Sequence, residues 1–257
     1  MWNKLFIQLK SRNKILFYVG SISLLGALIC GLLSVWSPLE VGGIPAFIKP
    51  MKFYLALTAA VYTMGWLMVY LQNQQAVKRY SWVVVVTMTV ELGIITLQAA
   101  LGQASHFNIS SWPNALLYQL MGVAILIYTF WTAYIGYLFF KQKNFPLWMT
   151  PGYIWGIRLG ILFFVTAALQ GGHMAMLMQH SIGGADGGEG YPLLNWSSLH
   201  GDLRVVHFFG IHSLQLFPLL GYYLVPTKRS MVAIALSWLF FLVLLYAQAM
   251  KGYPLIG

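Results

Sequence analysis

Apolar residues follow one another along this chain in seven long runs, separated by short polar gaps. Each run is about 20 residues long, the length that a helix needs to cross the hydrocarbon core of a bilayer. The runs lack the strict alternation of barrel strands. The pattern therefore predicts seven transmembrane helices, at residues 15–35, 52–71, 82–103, 115–140, 153–177, 204–225 and 230–250.

Composition supports lipid as the main solvent of the chain. Hydrophobic residues make up 59% of the sequence and charged residues 8%, whereas soluble domains carry about 25% charged residues. In lipid the backbone must satisfy its own hydrogen bonds. We therefore predict an all-α integral membrane bundle, and because no gap holds a core of its own, a single domain over residues 1–257.

The net charge of +10 is distributed unevenly. Basic residues precede the first predicted helix and fill alternate gaps: Lys4, Lys10, Arg12, Lys14, Lys78, Arg79, Lys141, Lys143, Lys228 and Arg229. An excess of Lys and Arg marks the cytoplasmic side. We predict an N-terminus inside, a C-terminus outside, and cytoplasmic gaps at 72–81, 141–152 and 226–229. The charge thus indicates topology and not nucleic-acid binding.

Acidic and imidazole groups gather on the opposite, outer side or inside helices. They are Glu40, Glu91, Asp186, Glu189 and Asp202, with His106, His173, His180, His200, His207 and His212. Three predicted helices also carry polar stripes: Thr87, Glu91, Gln98 and Ser105; Thr166, Gln170 and His173; Arg204, His207, His212 and Gln215. Such stripes face a bundle interior or a water-filled cavity, because lipid exposure is costly. We predict a site at the outer ends of these helices.

Glu91 is the residue that most strongly indicates function. A carboxylate inside the membrane costs roughly 2.5–3.5 kcal/mol, so it is a candidate proton relay, metal ligand or catalytic group. The structural alternative is a hydrogen bond or an ion pair, for instance with Arg158 or Lys52. Asp202 and Arg204 are further catalytic candidates, although Asp202 also suits the N-cap of a helix.

Four histidines are candidate ligands of a transition metal ion or of haem b: His106, His173, His207 and His212, with Glu91 as a further metal ligand. The spacing of five between His207 and His212 does not let both bind one metal from one helix face. Any such site must combine ligands from different helices. The single cysteine, Cys30, excludes a disulfide within the chain, and we expect it to be a buried hydrophobe.

The outer segment 178–203 is too long for an ordinary connection. Its glycines allow positive φ angles, and Trp196 with its apolar neighbours is unlike a solvated linker. We expect the segment to fold back as a lid over the helix ends.

Several short motifs resemble a set found in an uncharacterised family of bacterial polytopic inner-membrane proteins with no known activity. They are Lys49-Pro-Met-Lys-Phe, Ser105-His-Phe-Asn108, the run from His180 through Asp186-Gly-Gly, Asn195-Trp-Ser, and Gly201-Asp-Leu-Arg-Val-Val-His207. The resemblance implies a location in the bacterial inner membrane.

Three functions remain open from the sequence. The first is metal or haem binding for redox or hydrolytic chemistry on a lipid or small molecule at the outer leaflet. The second is a proton-linked transporter or channel in which Glu91 is the relay. The third is a non-catalytic binding or assembly partner. Whether the protein is an enzyme is therefore left open.

Overall fold

A computed structural model describes residues 2–256 and consists mainly of helices. The helices are α1 (Trp2–Arg12), α2 (Lys14–Trp36), α3 (Ile48–Leu67, continued by a 3-10 turn at Met68–Tyr70), α4 (Gln74–Ala100), α5 (Trp112–Lys141), α6 (Pro151–Leu177), α7 (Leu203–Tyr223) and α8 (Lys228–Met250). Two antiparallel hairpins complete it: β1 (Glu40–Val41) with β2 (Ile44–Pro45), and β3 (Ser181–Ile182) with β4 (Gly201–Asp202).

Within residues 2–256, seven helices are long and apolar enough to cross a membrane, namely α2 to α8. The predicted number of spans and the predicted helical membrane class are therefore confirmed. The orientation of the termini stays a prediction.

The chain divides into two compact units, Met1–Asn144 and Phe145–Gly257. The first contains α1 to α5 and the β1–β2 hairpin, and the second contains α6 to α8 and the β3–β4 hairpin. The single domain expected over residues 1–257 stays a prediction.

In the first unit, α4 begins at Gln74, eight positions before the predicted start at residue 82. The side chain of Asn73 caps the helix by accepting a hydrogen bond from the backbone of Ala76 at 3.0 Å. Lys78 and Arg79 therefore lie in the first two turns of α4 and not in a gap. Long basic side chains tolerate this position because they can extend to interfacial water from a helix end.

A short helix, α1, precedes the first span, and the apolar pattern does not predict it. The break between α1 and α2 lies at Asn13, whose side-chain oxygen accepts a hydrogen bond from the backbone of Leu16. The amide nitrogen of Asn13 donates to Ser81 of α4 at 2.9 Å. Arg12 donates to the carbonyl of Trp66 at 2.9 Å. The junction is thus attached to both α3 and α4.

The β1–β2 hairpin turns at Gly42 and Gly43, which have φ angles of 61° and 75°. Tight two-residue hairpin turns need positive φ at both central positions, so glycine suits both. Val41 of this hairpin packs with Cys30 and Ala99. The hairpin thereby lies against the end of α4 at Ala100, and Cys30 is buried as predicted.

In the second unit, α6 and α7 are the most extensively packed pair of helices. Three glycines recur every fourth residue on α6, at Gly152, Gly156 and Gly160. A Cβ atom at Gly156 would overlap the carbonyl group of Phe217 in α7, and one at Gly160 would lie 3.0 Å from the carbonyl oxygen of Ser213. The two helices therefore pack backbone against backbone, as small residues allow in membranes.

Candidate functional site

The polar stripe predicted on α4 is buried in the first unit. Thr87, Glu91 and Gln98 lie on one face of the helix, and Ser105 follows just beyond its end; all four are at most 4% exposed. Positions four and seven residues apart share a helix face, which explains why the stripe is continuous. The interior of the first unit therefore contains a row of polar groups with Glu91 in its middle.

The imidazole of His106 lies beside the carboxylate of Glu91. Oε1 of Glu91 lies 3.8 Å from Nε2 of His106, and the carboxylate is 2% exposed whereas the imidazole is 26% exposed. This separation exceeds a hydrogen bond, so direct proton exchange needs a small movement or a bridging water. The second oxygen of Glu91, Oε2, is buried and accepts no hydrogen bond from the part of the chain that the structure describes.

The other ring nitrogen of His106 faces a hydroxyl group. Oγ of Ser105 lies 3.1 Å from Nδ1 of His106. The ring is also surrounded by aromatic side chains, with the ring centroids of Phe53 and Tyr118 at 5.5 and 6.4 Å. Phe107, the next residue, has a φ angle of 59°, which turns the loop after α4 sharply. The imidazole is thus held between a hydroxyl and a carboxylate.

Two further polar residues, Lys49 and Gln98, belong to the environment of Glu91. Lys49, near the start of α3, interacts electrostatically with Glu91. Two turns after Glu91, the amide nitrogen of Gln98 donates to Oδ1 of Asn114 in α5 at 3.0 Å. The amide oxygen of Gln98 is buried without a hydrogen-bond partner among residues 2–256. Unpaired buried oxygens are costly, so both Gln98 and Glu91 present acceptors suited to water or a bound donor.

A cavity of about 70 Å³ lies next to these residues, between the β1–β2 hairpin, the start of α3 and the end of α4. Lys49, Gln103 and Ser105 supply its polar lining. One water needs only about 10–15 Å³ of such volume, so the cavity can hold several. Ser105 lines the cavity and contacts His106, so the cavity lies one side chain away from the imidazole beside Glu91.

In the second unit, three predicted ligand histidines each have a partner at Nδ1. Nδ1 of His207 donates to the carbonyl oxygen of Ala167 at 2.8 Å. Nδ1 of His173 lies 3.3 Å from the hydroxyl of Tyr246, and Nδ1 of His212 lies 3.2 Å from Oε1 of Gln215. Histidines that bind a metal through Nε2 commonly engage Nδ1 in this way. The same contacts also suit ordinary hydrogen-bonded bundle residues.

The predicted ligand set divides between the two units, with Glu91 and His106 in the first and the other three histidines in the second. Among residues 2–256, no three or more His, Cys, Asp or Glu side chains form a group that could hold a metal ion. A haem needs only one or two axial histidines. The shared metal or haem site therefore stays a prediction.

The stripe predicted on α6 does not face inward along its whole length. Thr166 is exposed, and its hydroxyl donates to the carbonyl oxygen of Leu162 one turn earlier at 3.0 Å. This back-bond lets a threonine face lipid without an unpaired donor. Gln170, in contrast, has both polar side-chain atoms buried and unpaired within the described part of the chain.

Asp202 and Arg204 form a compact network at the start of α7. Asp202 caps the helix by accepting from the backbone of Arg204 at 2.9 Å, and it accepts from the backbone of Ser197 at 2.8 Å. Burial alone would raise the pKa of Asp202, but the hydrogen bonds and charge of Arg204, with the two backbone donors, hold this pKa below its usual range. Arg204 also donates to the carbonyl of Asn195. These contacts join loop to helix, and a catalytic role for the pair stays a prediction.

The segment 178–203 is ordered and folds against its own unit. The backbone groups of His180 and Ser181 donate to Asp186, and Nδ1 of His180 lies 3.1 Å from Oδ1 of Asp186. Trp196 is buried against Val205 and its apolar neighbours on α7. The segment thus packs on the start of α7, as expected of a loop that folds back.

The sequence does not predict the partners of two residues of the site, Lys49 and Asn114. Lys49 lies in the first turn of α3, and nothing in its spacing from Glu91 predicts their electrostatic interaction. Asn114 follows a Pro and precedes an apolar run, so only the observed fold connects it to Gln98. The glycines of α6 are different, because small residues four positions apart are typical of close helix packing in membranes.

No family model, no curated protein sequence and no solved structure matches this chain. The fold and the site define its class as a multi-pass helical membrane protein with a buried carboxylate beside an imidazole.

Proposed function

We propose that the protein conducts protons through its first unit, with Glu91 as the relay inside the membrane. The observation that carries this proposal is the position of His106. Its Nδ1 faces Ser105, which lines the cavity of about 70 Å³, and its Nε2 faces the buried carboxylate of Glu91. An imidazole in this position can take a proton on one nitrogen and release another from the second.

The chemistry of Glu91 suits this role. An ionised carboxylate in an apolar interior is costly unless it is paired or protonated. Glu91 has one oxygen near His106 and one without a hydrogen-bond partner in residues 2–256. Protonation by His106 removes the charge, and Lys49 compensates it when the proton leaves. Both states of the relay are therefore accessible.

Polar groups continue along the interior beyond Glu91. Thr87 lies one turn earlier on α4 and is buried. Further along, the hydroxyl of Tyr80 lies 3.3 Å from Oγ1 of Thr132 in α5. Asn13 and Ser81 follow near the start of α4. In this proposal, water molecules bridging these hydroxyls and amides complete the proton path.

The direction of the path follows from the proposed topology. The one-sided basic residues favour an N-terminus inside, so the cavity opens on the outer side and α4 starts on the cytoplasmic side. Together with the motif resemblance, this favours the bacterial inner membrane as the location.

The test is proton flux in proteoliposomes under an imposed potassium potential, with an internal pH dye as the reporter. We expect flux above that of empty liposomes, a loss of at least about tenfold in Glu91→Gln, and a smaller loss in His106→Gln. Glu40→Gln is the matched control, since Glu40 is exposed on the hairpin near the same cavity. Flux equal to empty liposomes, or an undiminished Glu91→Gln, would refute the proposal.

A second candidate function rests on the histidines of the second unit. Nδ1 of His173, of His207 and of His212 has a hydrogen-bonding partner, which leaves Nε2 as the nitrogen for a metal ion or for the iron of haem b in this proposal. Redox or hydrolytic chemistry on an outer-leaflet substrate would then be possible. Visible absorption and metal analysis of the purified protein test this: a Soret band or stoichiometric metal that His207→Ala removes supports it, and neither signal refutes it.

A further inference from the structure

A groove runs along α4 and α5 of the first unit, beginning near the N-terminal end of α4. It encloses about 670 Å³, within the roughly 300–1,000 Å³ of ligand sites. Lys78 and Arg79 line one end. Apolar residues supply most of the remaining lining, namely Trp82, Val83 and Val86 of α4 with Ile127 and Trp131 of α5, and Gln75 and Thr87 are the other polar residues. The groove is therefore basic at one end and mainly apolar beyond it.

Among residues 2–256, no ion pair joins Lys78 or Arg79 to an acidic side chain. The pairs His106–Glu91, His180–Asp186 and Arg204–Asp202 lie elsewhere. Both side chains are exposed. They also lie in the first two turns of α4, where the helix dipole favours an anion. An anionic group is thus the complement that this end lacks.

The whole groove, with its basic end, has about the length of one membrane leaflet. From Lys78 to Thr87, the last α4 residue that lines the groove, the helix rises about 13 Å. One leaflet supplies about half of the roughly 30 Å hydrocarbon core. Trp82 and Val86 remain 54% and 63% exposed. The acyl chain of a lipid in one leaflet therefore fits along this groove, from the depth of the headgroups to the middle of the membrane.

We propose that this groove binds one anionic phospholipid, with its phosphate at Lys78 and Arg79 and an acyl chain along Val86 and Ile127. A zwitterionic lipid lacks the net charge that the two basic groups complement. A second copy of the chain would need acidic groups opposite Lys78 and Arg79. Juxtamembrane basic residues attract anionic lipids in this way.

The test is native mass spectrometry of the detergent-purified full chain with added dioleoyl phosphatidylglycerol, compared with dioleoyl phosphatidylcholine and with inorganic phosphate. We expect one tightly retained phosphatidylglycerol and no comparable retention of the other two probes. Lys78→Gln/Arg79→Gln should weaken retention about thirtyfold, since each basic residue near an anionic headgroup contributes about a factor of five.

The matched control is Lys143→Gln/Arg229→Gln, which removes the same charge from basic residues outside the groove. It should retain the lipid. Val86→Trp keeps the basic pair but fills the apolar part, and it should also weaken retention. Equal binding of phosphatidylcholine, equal losses in the control, dimer formation that displaces the lipid, or full retention by Val86→Trp would each overturn the assignment.

Discussion

The carboxylate of Asp202 and the guanidinium of Arg204 lie 2.6 Å apart, although only one residue separates them in the chain. The carboxylate of Asp202 also accepts a hydrogen bond from the backbone of Arg204 in the first turn of α7. The guanidinium of Arg204 also donates to the carbonyl of Asn195 in the preceding loop. The pair therefore connects the end of segment 178–203 to the helix that follows it.

The stability of this junction should depend on pH. The pKa of Asp202 lies below its usual range in the folded protein, and an unfolded Asp titrates near 3.9. The stabilisation is therefore complete above about pH 5 and is lost as pH falls through the lower, folded pKa. Melting temperatures of the detergent-purified protein between pH 7 and pH 3 measure this loss.

Asp202→Asn should remove that pH-dependent part and cost about 1.5–3 kcal/mol at neutral pH, because hydrogen bonds to a charged group are lost. Glu189→Gln is the control, since Glu189 is exposed in the same loop. A pH profile of Asp202→Asn parallel to wild type would mean that Asp202 does not cause the dependence.

Glu91→Gln separates a relay from a structural ion pair. Glutamine keeps the shape and can hydrogen-bond, so a relay variant should fold with a nearly unchanged melting temperature while losing proton flux. If Glu91 is instead needed to balance the half-buried Lys49, the change removes the counter-charge of this cation, and the melting temperature should fall together with the flux. Thermal melts beside those of Glu40→Gln distinguish these outcomes.

Replacing glycine by alanine should have opposite effects on stability at two positions of α6. Gly156→Ala places a Cβ atom against the carbonyl of Phe217, so it should lower the melting temperature and the folded yield. Gly172→Ala lies on the same helix with no atom within 4 Å of its Cβ. It should be neutral or stabilising, by up to about 1 kcal/mol from helix propensity. Similar losses in both variants would contradict backbone packing of α6 on α7.

The topology can be tested with single cysteines in a Cys30→Ser background. A membrane-impermeant maleimide added outside the cell should label Ala185→Cys and should label Lys143→Cys only after permeabilisation. The expectation rests on the one-sided distribution of basic residues. The reverse pattern would place the cavity beside Ser105 on the cytoplasmic side and would reverse the direction of the proposed proton path.

The number of spans was predictable because hydropathy over about 20 residues is a direct consequence of bilayer thickness. The burial of Glu91 and Gln98 was predictable from helical periodicity. The start of α4 was not predictable, because two adjacent basic residues, Lys78 and Arg79, are typical of a gap between spans but lie in the first turns of this helix. The α1 helix was missed because it is too short and too polar to resemble a span.

The sequence groups His106 with Glu91 in one candidate site, but it does not predict how the two side chains meet. The chain turns after α4 at Gly102 and again at Phe107, both with positive φ angles, and His106 lies between these two turns. Phe53 of α3 and Tyr118 of α5 pack around the imidazole, and these are contacts between different elements of the fold. The sequence places His106 near the end of α4, and the fold determines that it faces inward.

The glycine stripe of α6 has a consequence for permeability. Where Gly152, Gly156 and Gly160 face α7 and the residues just after it, main chain lies on main chain, and an added Cβ atom at each position would meet a carbonyl group. We therefore expect this contact to exclude hydrated ions, and leakage of ions between the two helices should begin only when a larger residue separates them.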